Sequence, residues 1–253
     1  MSMPDVKEIV REKYGTIAQA GGSCCGPNCG CGSGESSETL ALLMDDRYTN
    51  VDEQIVQAAD LGLGCGTPTA FADLKEGMTV LDVGSGVGID VFLAAKKVAP
   101  TGKAIGIDMT DEMIKLARRY KAKLGIENAQ FIKGETENMP IESASVDRLL
   151  SNCVINLVPD KRKAFAEMFR VLKPRGKFTI SDIVSVGSIP DEVRRDMELW
   201  AGCVAGALDK QEYLSIVSEA GFFNLTIKAE KRDAPDTLLP FGLVSITLTA
   251  VKP

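Results

Sequence analysis

From about Thr79 onward, short blocks of consecutive apolar residues alternate with stretches in which apolar positions recur every three or four residues. The first pattern suits buried strands and the second suits helices that bury one stripe. Residues 79–83 (Thr-Val-Leu-Asp-Val) predict a strand and residues 89–97 a helix. Residues 103–108 predict a second strand. In the helix that follows, Met113, Ala117, Tyr120 and Leu124 form the buried stripe. Thr110 suits its N-cap, Asp111 and Glu112 suit its first turn, and Gly125 ends it. Residues 130–133 and 146–152 predict the third and fourth strands. A helix over 161–172 carries Phe165, Met168, Phe169 and Leu172 on one face. Pro174 and Gly176 then turn the chain into a fifth strand over 178–183. Arg175, between them, predicts a type I turn, because a type II turn would strain a side chain there. Residues 191–204 and 210–220 predict two more helices. Residues 225–229 and 244–251 follow with no helix between them, which predicts an antiparallel pair at the sheet edge. Ahead of all this, residues 6–14 predict a short helix, and the Gly-, Ser- and Cys-rich stretch 21–37 a flexible loop.

Strand–helix alternation of this kind builds an α/β fold with a mostly parallel sheet and helices on both faces. At 253 residues the chain is long enough for a core that needs no disulfide framework. Its net charge of −6 argues against a nucleic-acid or anionic-membrane partner. The apolar runs are far short of a membrane span, and the first residues lack the pattern of a secretory signal. Seven cysteines at irregular spacing do not make a secreted disulfide scaffold. The expectation is a cytoplasmic protein with reduced thiols. The 228–232 charge run reads as a solvated strand end.

The strongest local motif is Asp82-Val83-Gly84-Ser85-Gly86-Val87-Gly88, set between the first strand and its helix. Glycines there let a ligand approach backbone N–H groups at a helix N-terminus. A dinucleotide fingerprint needs Gly-x-Gly-x-x-Gly, but Ile89 holds the sixth position and Gly88 comes one residue early. The motif resembles that of S-adenosylmethionine-dependent methyltransferases. That resemblance implies that Asp82, Gly84, Ser85, Gly86 and Gly88 embrace the methionine end. Asp108 and Met109 end the second strand, where a carboxylate can accept ribose hydroxyls. Gly134, Glu135 and Thr136 follow the third strand, where this superfamily places adenine contacts. Asn152 closes the fourth strand and is expected to contribute through its backbone.

The chain has no histidine, and three of its cysteines stand alone: Cys65, Cys153 and Cys203. Ligands in open α/β sheets bind beyond the carboxyl ends of the strands. Cys153 follows the fourth strand and faces that crevice. Cys203 is expected on the helix after the fifth strand, sharing a face with Leu199 and Trp200. Cys65 sits in a glycine-rich loop that can fold over the crevice. A buried cysteine often serves as a small hydrophobe, but three converging on one crevice point to a soft ligand. Cys24, Cys25, Cys29 and Cys31 crowd into eight residues without the paired C-x2-C elements of a zinc knuckle. Four thiols so close could bind zinc or a second arsenic; the preferred reading is a mobile tail in which one cysteine matters.

The blocks Leu-Gly-Leu-Gly-Cys65-Gly-Thr-Pro, Ser-Asn-Cys153-Val-Ile-Asn-Leu and Ala-Gly-Cys203-Val-Ala-Gly-Ala-Leu resemble the arsenite S-adenosylmethionine methyltransferases. So do an N-terminal Lys-Tyr-Gly and Ser-Cys-Cys-Gly. The resemblance covers nearly the whole chain. It implies a Rossmann-like seven-stranded class I methyltransferase sheet, mostly parallel with the last strand antiparallel. A cysteine-rich arm and cap would span 1–72, the cofactor-binding core 73–185, and helices with the last two strands 186–253. It implies that Cys65, Cys153 and Cys203 bind As(III), from arsenite or methylarsenite. Cys24 or Cys25 would join Cys65 in thiol–disulfide steps, reset by thioredoxin or a small thiol. A monomer is expected. As(III) is thiophilic and keeps a lone pair when three thiolates hold it. That lone pair loses no proton when methylated, so no general base is needed. The rival expectations are a methyltransferase for a quinone-like carbon acid and a non-enzymatic soft-metal trap.

Overall fold

The computed structural model describes residues 6–20, 48, 51–231 and 242–253. Helix α1 (Val6–Ala20) runs further than expected, and α2 (Glu53–Ala59) is capped by the Asp52 carboxylate. Then come β1 (Thr79–Val83), α3 (Ile89–Val98), β2 (Lys103–Asp108), α4 (Asp111–Leu124), β3 (Ala129–Lys133) and β4 (Val146–Asn152). A 3-10 turn (Ile155–Leu157), α5 (Lys161–Val171) and β5 (Leu172–Ser185) follow. The chain closes with α6 (Asp191–Arg194), α7 (Met197–Ala201), α8 (Lys210–Glu219), β6 (Phe223–Lys231) and β7 (Leu243–Val251).

The seven strands form one sheet in the order β3-β2-β1-β4-β5-β7-β6. β1 to β5 are mutually parallel, and β7 runs antiparallel to both β5 and β6. This is the seven-stranded class I methyltransferase arrangement. The order reverses beside β1, which has β2 on one side and β4 on the other. A crevice opens at that switch point, beyond the strand ends. Each face of the sheet carries its own core. Val91, Phe92, Met113 and Phe131 anchor one, with α1 to α4 over it. Phe165, Met168, Phe178, Tyr213 and Phe222 anchor the other, beneath α5 and α8. Edge-to-face ring pairs tie the second core together: Phe165 with Tyr213 at 5.5 Å and Phe178 with Phe222 at 4.8 Å.

Two local expectations are overturned, and a third, the Thr110 N-cap, holds in position but not in its bonding. Arg175 has φ +64°, a left-handed backbone that a type I turn does not contain. Two bonds to the C-terminal strand end hold it there: its N–H donates to Lys252 O at 3.0 Å, and Lys252 N–H donates to Gly176 O at 2.9 Å. Thr110 takes the N-cap position of α4, but its side chain makes no capping bond. Instead its N–H is taken by the Asp108 carboxylate at 2.8 Å. The single helix expected over 191–204 is two short ones, because the Asp196 carboxylate caps Leu199 N–H at 3.0 Å and starts α7 afresh. Part of the 228–232 charge run, Arg232, lies outside the described residues. Among the described residues, no helix is long and apolar enough to cross a membrane.

Candidate active site

The crevice at the switch point is an open cleft of about 1130 Å³. The glycine loop forms its floor. Gly84 has φ +68°, and a Cβ there would meet Val154 Cγ2 at 2.5 Å. Ser85 N–H donates to Ile107 O at 2.9 Å, and Gly86 N–H donates to Asp108 Oδ2 at 2.9 Å. Asp108 thus buckles the loop to the end of β2 while lining the cleft itself. Gly88 is not in the cleft wall. Its φ of +96° starts α3, and a Cβ would strike the Phe131 ring at 2.6 Å, so it serves helix–sheet packing. Asp82, Gly84, Ser85, Gly86, Asp108, Met109, Gly134, Glu135, Thr136, Asn152 and Cys153 all line the cleft. A Cβ on Gly134 would reach Pro140 at 2.6 Å.

The cleft is acidic. Burial, together with repulsion from Asp90 and Asp108, pushes the Asp82 carboxyl well above the usual carboxylate range. Burial also raises Asp108, and it raises Asp90 to about 6 despite hydrogen bonds from Tyr48, Asn152 and Thr69. Ser85 Oγ and Asp90 Oδ1 are buried and have no hydrogen-bond partner among the described residues. Crowded carboxylates and orphaned polar atoms fit a cationic, polar ligand such as S-adenosylmethionine, whose charges would be matched by Asp82 and Asp90.

These shifts predict a pH dependence for the free protein. Asp90 (about 6) and Asp182 (about 7) hold their protons more tightly folded than unfolded. Stability is therefore full below the unfolded carboxyl pKa and is lost as pH rises through about 4 to 7. Thermal melting between pH 4.5 and 7.5 should show a falling midpoint, and the fall should shrink with S-adenosylmethionine bound. A midpoint that rises across that range contradicts the electrostatic description.

Cys65, Cys153 and Cys203 come from three distant stretches and meet in one buried cluster with Ile183, Ile189, Val204 and Leu243. Each arrives differently. The Cys65 loop lines the crevice through Leu61, Leu63 and Gly64, while Cys65 itself is turned into the buried cluster. Cys65 N–H donates to Asn152 Oδ1 at 3.1 Å, Asn152 Nδ2 donates to Gly66 O at 2.7 Å, and Ser245 Oγ donates to Cys65 O. Gly66 permits the approach, since a Cβ there would lie 2.5 Å from Ser181 Oγ. Asn152 thus ties the Cys65 loop through its side chain, a role the sequence did not suggest, while also lining the cleft. Cys153 follows β4 with φ +58°, its N–H donating to Ser181 O at 2.8 Å. Cys203 is not on a helix. It sits just past α7 with φ +64°, where Val204 N–H reaches Leu199 O at 2.9 Å and Cys203 N–H reaches Trp200 O at 3.0 Å. This is a Schellman C-cap with cysteine in the place glycine usually takes. Left-handed backbone at a non-glycine residue costs on the order of 1–3 kcal/mol, and such strain gathers at functional sites.

The thiols are close enough to perturb one another. Its neighbours Cys203 and Cys65, and then burial, push the Cys153 thiol well above the usual thiol range. Burial raises Cys65. Cys203 Sγ donates to Cys153 O at 3.8 Å, and the Tyr14 hydroxyl lies 4.0 Å from Cys203 Sγ. Of the three, Cys153 also lines the cofactor cleft, so it joins the two sites. Among the described residues, no group of three or more Cys, Asp or Glu is already set at metal-ligand spacing. Cys24 and Cys25 lie outside the described residues.

Several wall residues were not anticipated. Lys7, Val10 and Tyr14 of α1 face the cleft, and Lys7 pairs with Glu135 at 2.8 Å and Glu137 at 3.0 Å. Tyr48 is buried; its hydroxyl donates to Asp90 Oδ2 and accepts from Asn152 Nδ2 at 2.9 Å. Tyr48 stands alone in a polar stretch, so no periodicity marks it; the only signal was an aromatic ahead of the cysteine loop.

Comparison with known proteins agrees with this geometry. A methyltransferase-domain family matches residues 74–221. Over 98% of its length the chain is 42% identical to an arsenite methyltransferase of Halobacterium salinarum, of which it covers 67%. The chain belongs to the arsenite methyltransferase family. It is therefore an S-adenosylmethionine-dependent methyltransferase, and the soft-metal trap is set aside. The mouse arsenite methyltransferase is 35% identical over 63% of this chain, which spans only 44% of that relative. The crystal structure of an arsenic(III) S-adenosylmethionine methyltransferase from Chlamydomonas reinhardtii superimposes with a TM-score of 0.69 at 31% identity. That match covers 85% of this chain and 73% of the algal one.

Proposed function

We propose that this chain methylates trivalent arsenic held by Cys65, Cys153 and Cys203, and so serves arsenic detoxification in the cytoplasm as a monomer. The observation that carries the reading is the meeting of three isolated cysteines in one buried cluster whose middle member also lines the cofactor cleft. Bound S-adenosylmethionine supplies an electrophilic methyl group. Asp82, the 84–87 loop, Asp108 and residues 134–136 would hold that ligand and exclude water from it.

Burial raises Cys65, and its thiol neighbours Cys203 and Cys65, followed by burial, raise Cys153, so these two start protonated. Neutral arsenite suits such a site. Each As–S bond forms as an As–O bond breaks, and the thiol proton leaves with the hydroxyl as water, so binding is proton-neutral. Three thiolates leave one arsenic lone pair, which attacks when held about 3–3.5 Å from the methyl carbon. No base takes part, which agrees with a chain that has no histidine. A quinone-like carbon acid would demand one.

Methyl transfer takes arsenic formally from the trivalent to the pentavalent state. The Cys24 or Cys25 sulfur then attacks Cys65 Sγ: the S–S bond forms as the Cys65–arsenic bond breaks, that bond's electron pair returns to arsenic, and the attacking thiol's proton passes to water; thioredoxin or a small dithiol reduces the disulfide. Mass spectrometry after one turnover should find Cys65 oxidised; finding every thiol still reduced sinks this step. The broader reading is tested with methyl-labelled S-adenosylmethionine. Label should move to arsenic only when arsenite is present, and arsenite-independent transfer to a carbon acid would overturn it.

A further inference from the structure

Two of the three thiols stand on strained turns from opposite sides of the cluster, and one buried side chain joins those turns. Asn156 is wholly buried in the 3-10 turn just after Cys153. Its Nδ2 donates to the Cys203 carbonyl at 3.2 Å. Its own N–H is anchored by Asp182 Oδ2 at 3.0 Å, and its carbonyl accepts from Lys161 Nζ at 3.2 Å. Asp182 is held in turn by the Tyr213 hydroxyl at 3.1 Å and the Ile183 N–H at 3.0 Å. The opposing loop fits against this residue closely: a Cβ on Gly206 would lie 2.0 Å from Asn156 O. Trp200 Nε1 adds a second tie by donating to Leu157 O at 3.2 Å. Asn156 Oδ1 is buried without a hydrogen-bond partner among the described residues. An amide left half-satisfied in a core is expensive, and an apolar residue of similar size would avoid that cost.

We propose that Asn156 is the positioning residue that joins the Cys153 and Cys203 turns and sets the third sulfur at the spacing a trivalent metalloid requires. The inference rests on the three-thiol arsenic reading. It does not involve the cofactor, because Asn156 does not line the cleft. Nor does it involve Cys65, which is held from elsewhere by Asn152 and Ser245. Without the amide, the left-handed Cys203 turn keeps its own C-cap bonds, the Trp200 tie and the long sulfur contacts to Cys153 O and the Tyr14 hydroxyl. The Cys65 and Cys153 pair keeps all of its supports.

That asymmetry separates positioning from general stability. Arsenite needs three sulfurs, whereas phenylarsine oxide is satisfied by two. In Asn156→Ala and Asn156→Ser, arsenite affinity should fall about tenfold or more. Affinity for phenylarsine oxide and for S-adenosylmethionine should stay within about threefold, a range equivalent to less than one hydrogen bond. A purely structural loss would weaken all three ligands together and overturn the proposal, as would unchanged arsenite affinity in both variants. Wild-type protein gives a second test that needs no variant. Arsenite loading should slow amide exchange in 153–158 and 200–206 together; slowing in only one of them overturns the link. If wild-type protein binds arsenite through fewer than three sulfurs, the parent reading fails first and this one with it.

Discussion

Replacing Cys65 with serine is expected to abolish methyl transfer to arsenic, a loss of about a thousandfold or more, with S-adenosylmethionine affinity within about twofold of wild type. The same loss of transfer holds for Cys153→Ser and Cys203→Ser, with the affinity control read on Cys65→Ser and Cys203→Ser because Cys153 itself lines the cleft. A hydroxyl is nearly isosteric with a thiol, but it is a hard ligand that gives soft arsenic no lasting hold. Two remaining thiolates would bind arsenic loosely and leave an oxygen ligand in exchange with water. The lone pair would then no longer be held on a fixed line to the cleft, and misplacement by about an ångström is enough to cost a hundredfold. The cofactor loop is built from β1, β2 and their turns, none of which touches the Cys203 turn. Unchanged cofactor affinity is therefore the internal control for folding. Full activity in any two of the three variants would remove the basis for a three-sulfur site.

The second large effect is a trade between stability and binding at Asp82. This carboxyl is 4% exposed, and Asp90 and Asp108 repel its charge. In the free protein that charge is a burden, so Asp82→Asn should raise the melting temperature near neutral pH. In the complex the same charge is what a cationic ligand meets, so S-adenosylmethionine affinity should fall about a hundredfold or more. Opposite signs from one substitution follow from pre-organised carboxylates and from little else. Thermal melting and isothermal titration of the same variant settle it. A variant that is less stable and binds normally would mean that Asp82 is a structural residue.

Much of this architecture can be read along the chain because its strands are buried on both faces. β1 and β2 are short, mostly apolar and buried, and β4 carries a buried Leu149-Leu150 centre; the limits of all three agree with expectation to the residue. The glycine loop is likewise legible, since its spacing departs from a dinucleotide fingerprint by one residue. The misses share a different cause. The 199–204 stretch has helical spacing, but the Asp196 cap and the turn at Gly202 and Cys203 cut that helix short. Nothing local says that a cysteine will take a left-handed backbone. The same is true of Arg175, which is held there by Lys252, almost eighty residues away. Asn152 and Tyr48 act through side chains that meet only once the Cys65 loop, α3 and β4 have packed. Local pattern reports which face is buried. It does not report which polar groups will find each other across the crevice.

That distinction also bears on the cysteines. Two of the three thiols are in conformations that folding alone would avoid, and the third is seated by a glycine, an amide and a hydroxyl from separate elements. Three unrelated local solutions deliver sulfur to one small volume beside an acidic, cation-accepting cleft. X-ray absorption at the arsenic edge, on wild-type protein loaded with one equivalent of arsenite, tests this most directly. The account predicts three sulfur neighbours and no oxygen, with one sulfur lost in each of Cys65→Ser, Cys153→Ser and Cys203→Ser. An oxygen shell around arsenic in the wild type, or three sulfurs retained in all three variants, would contradict it.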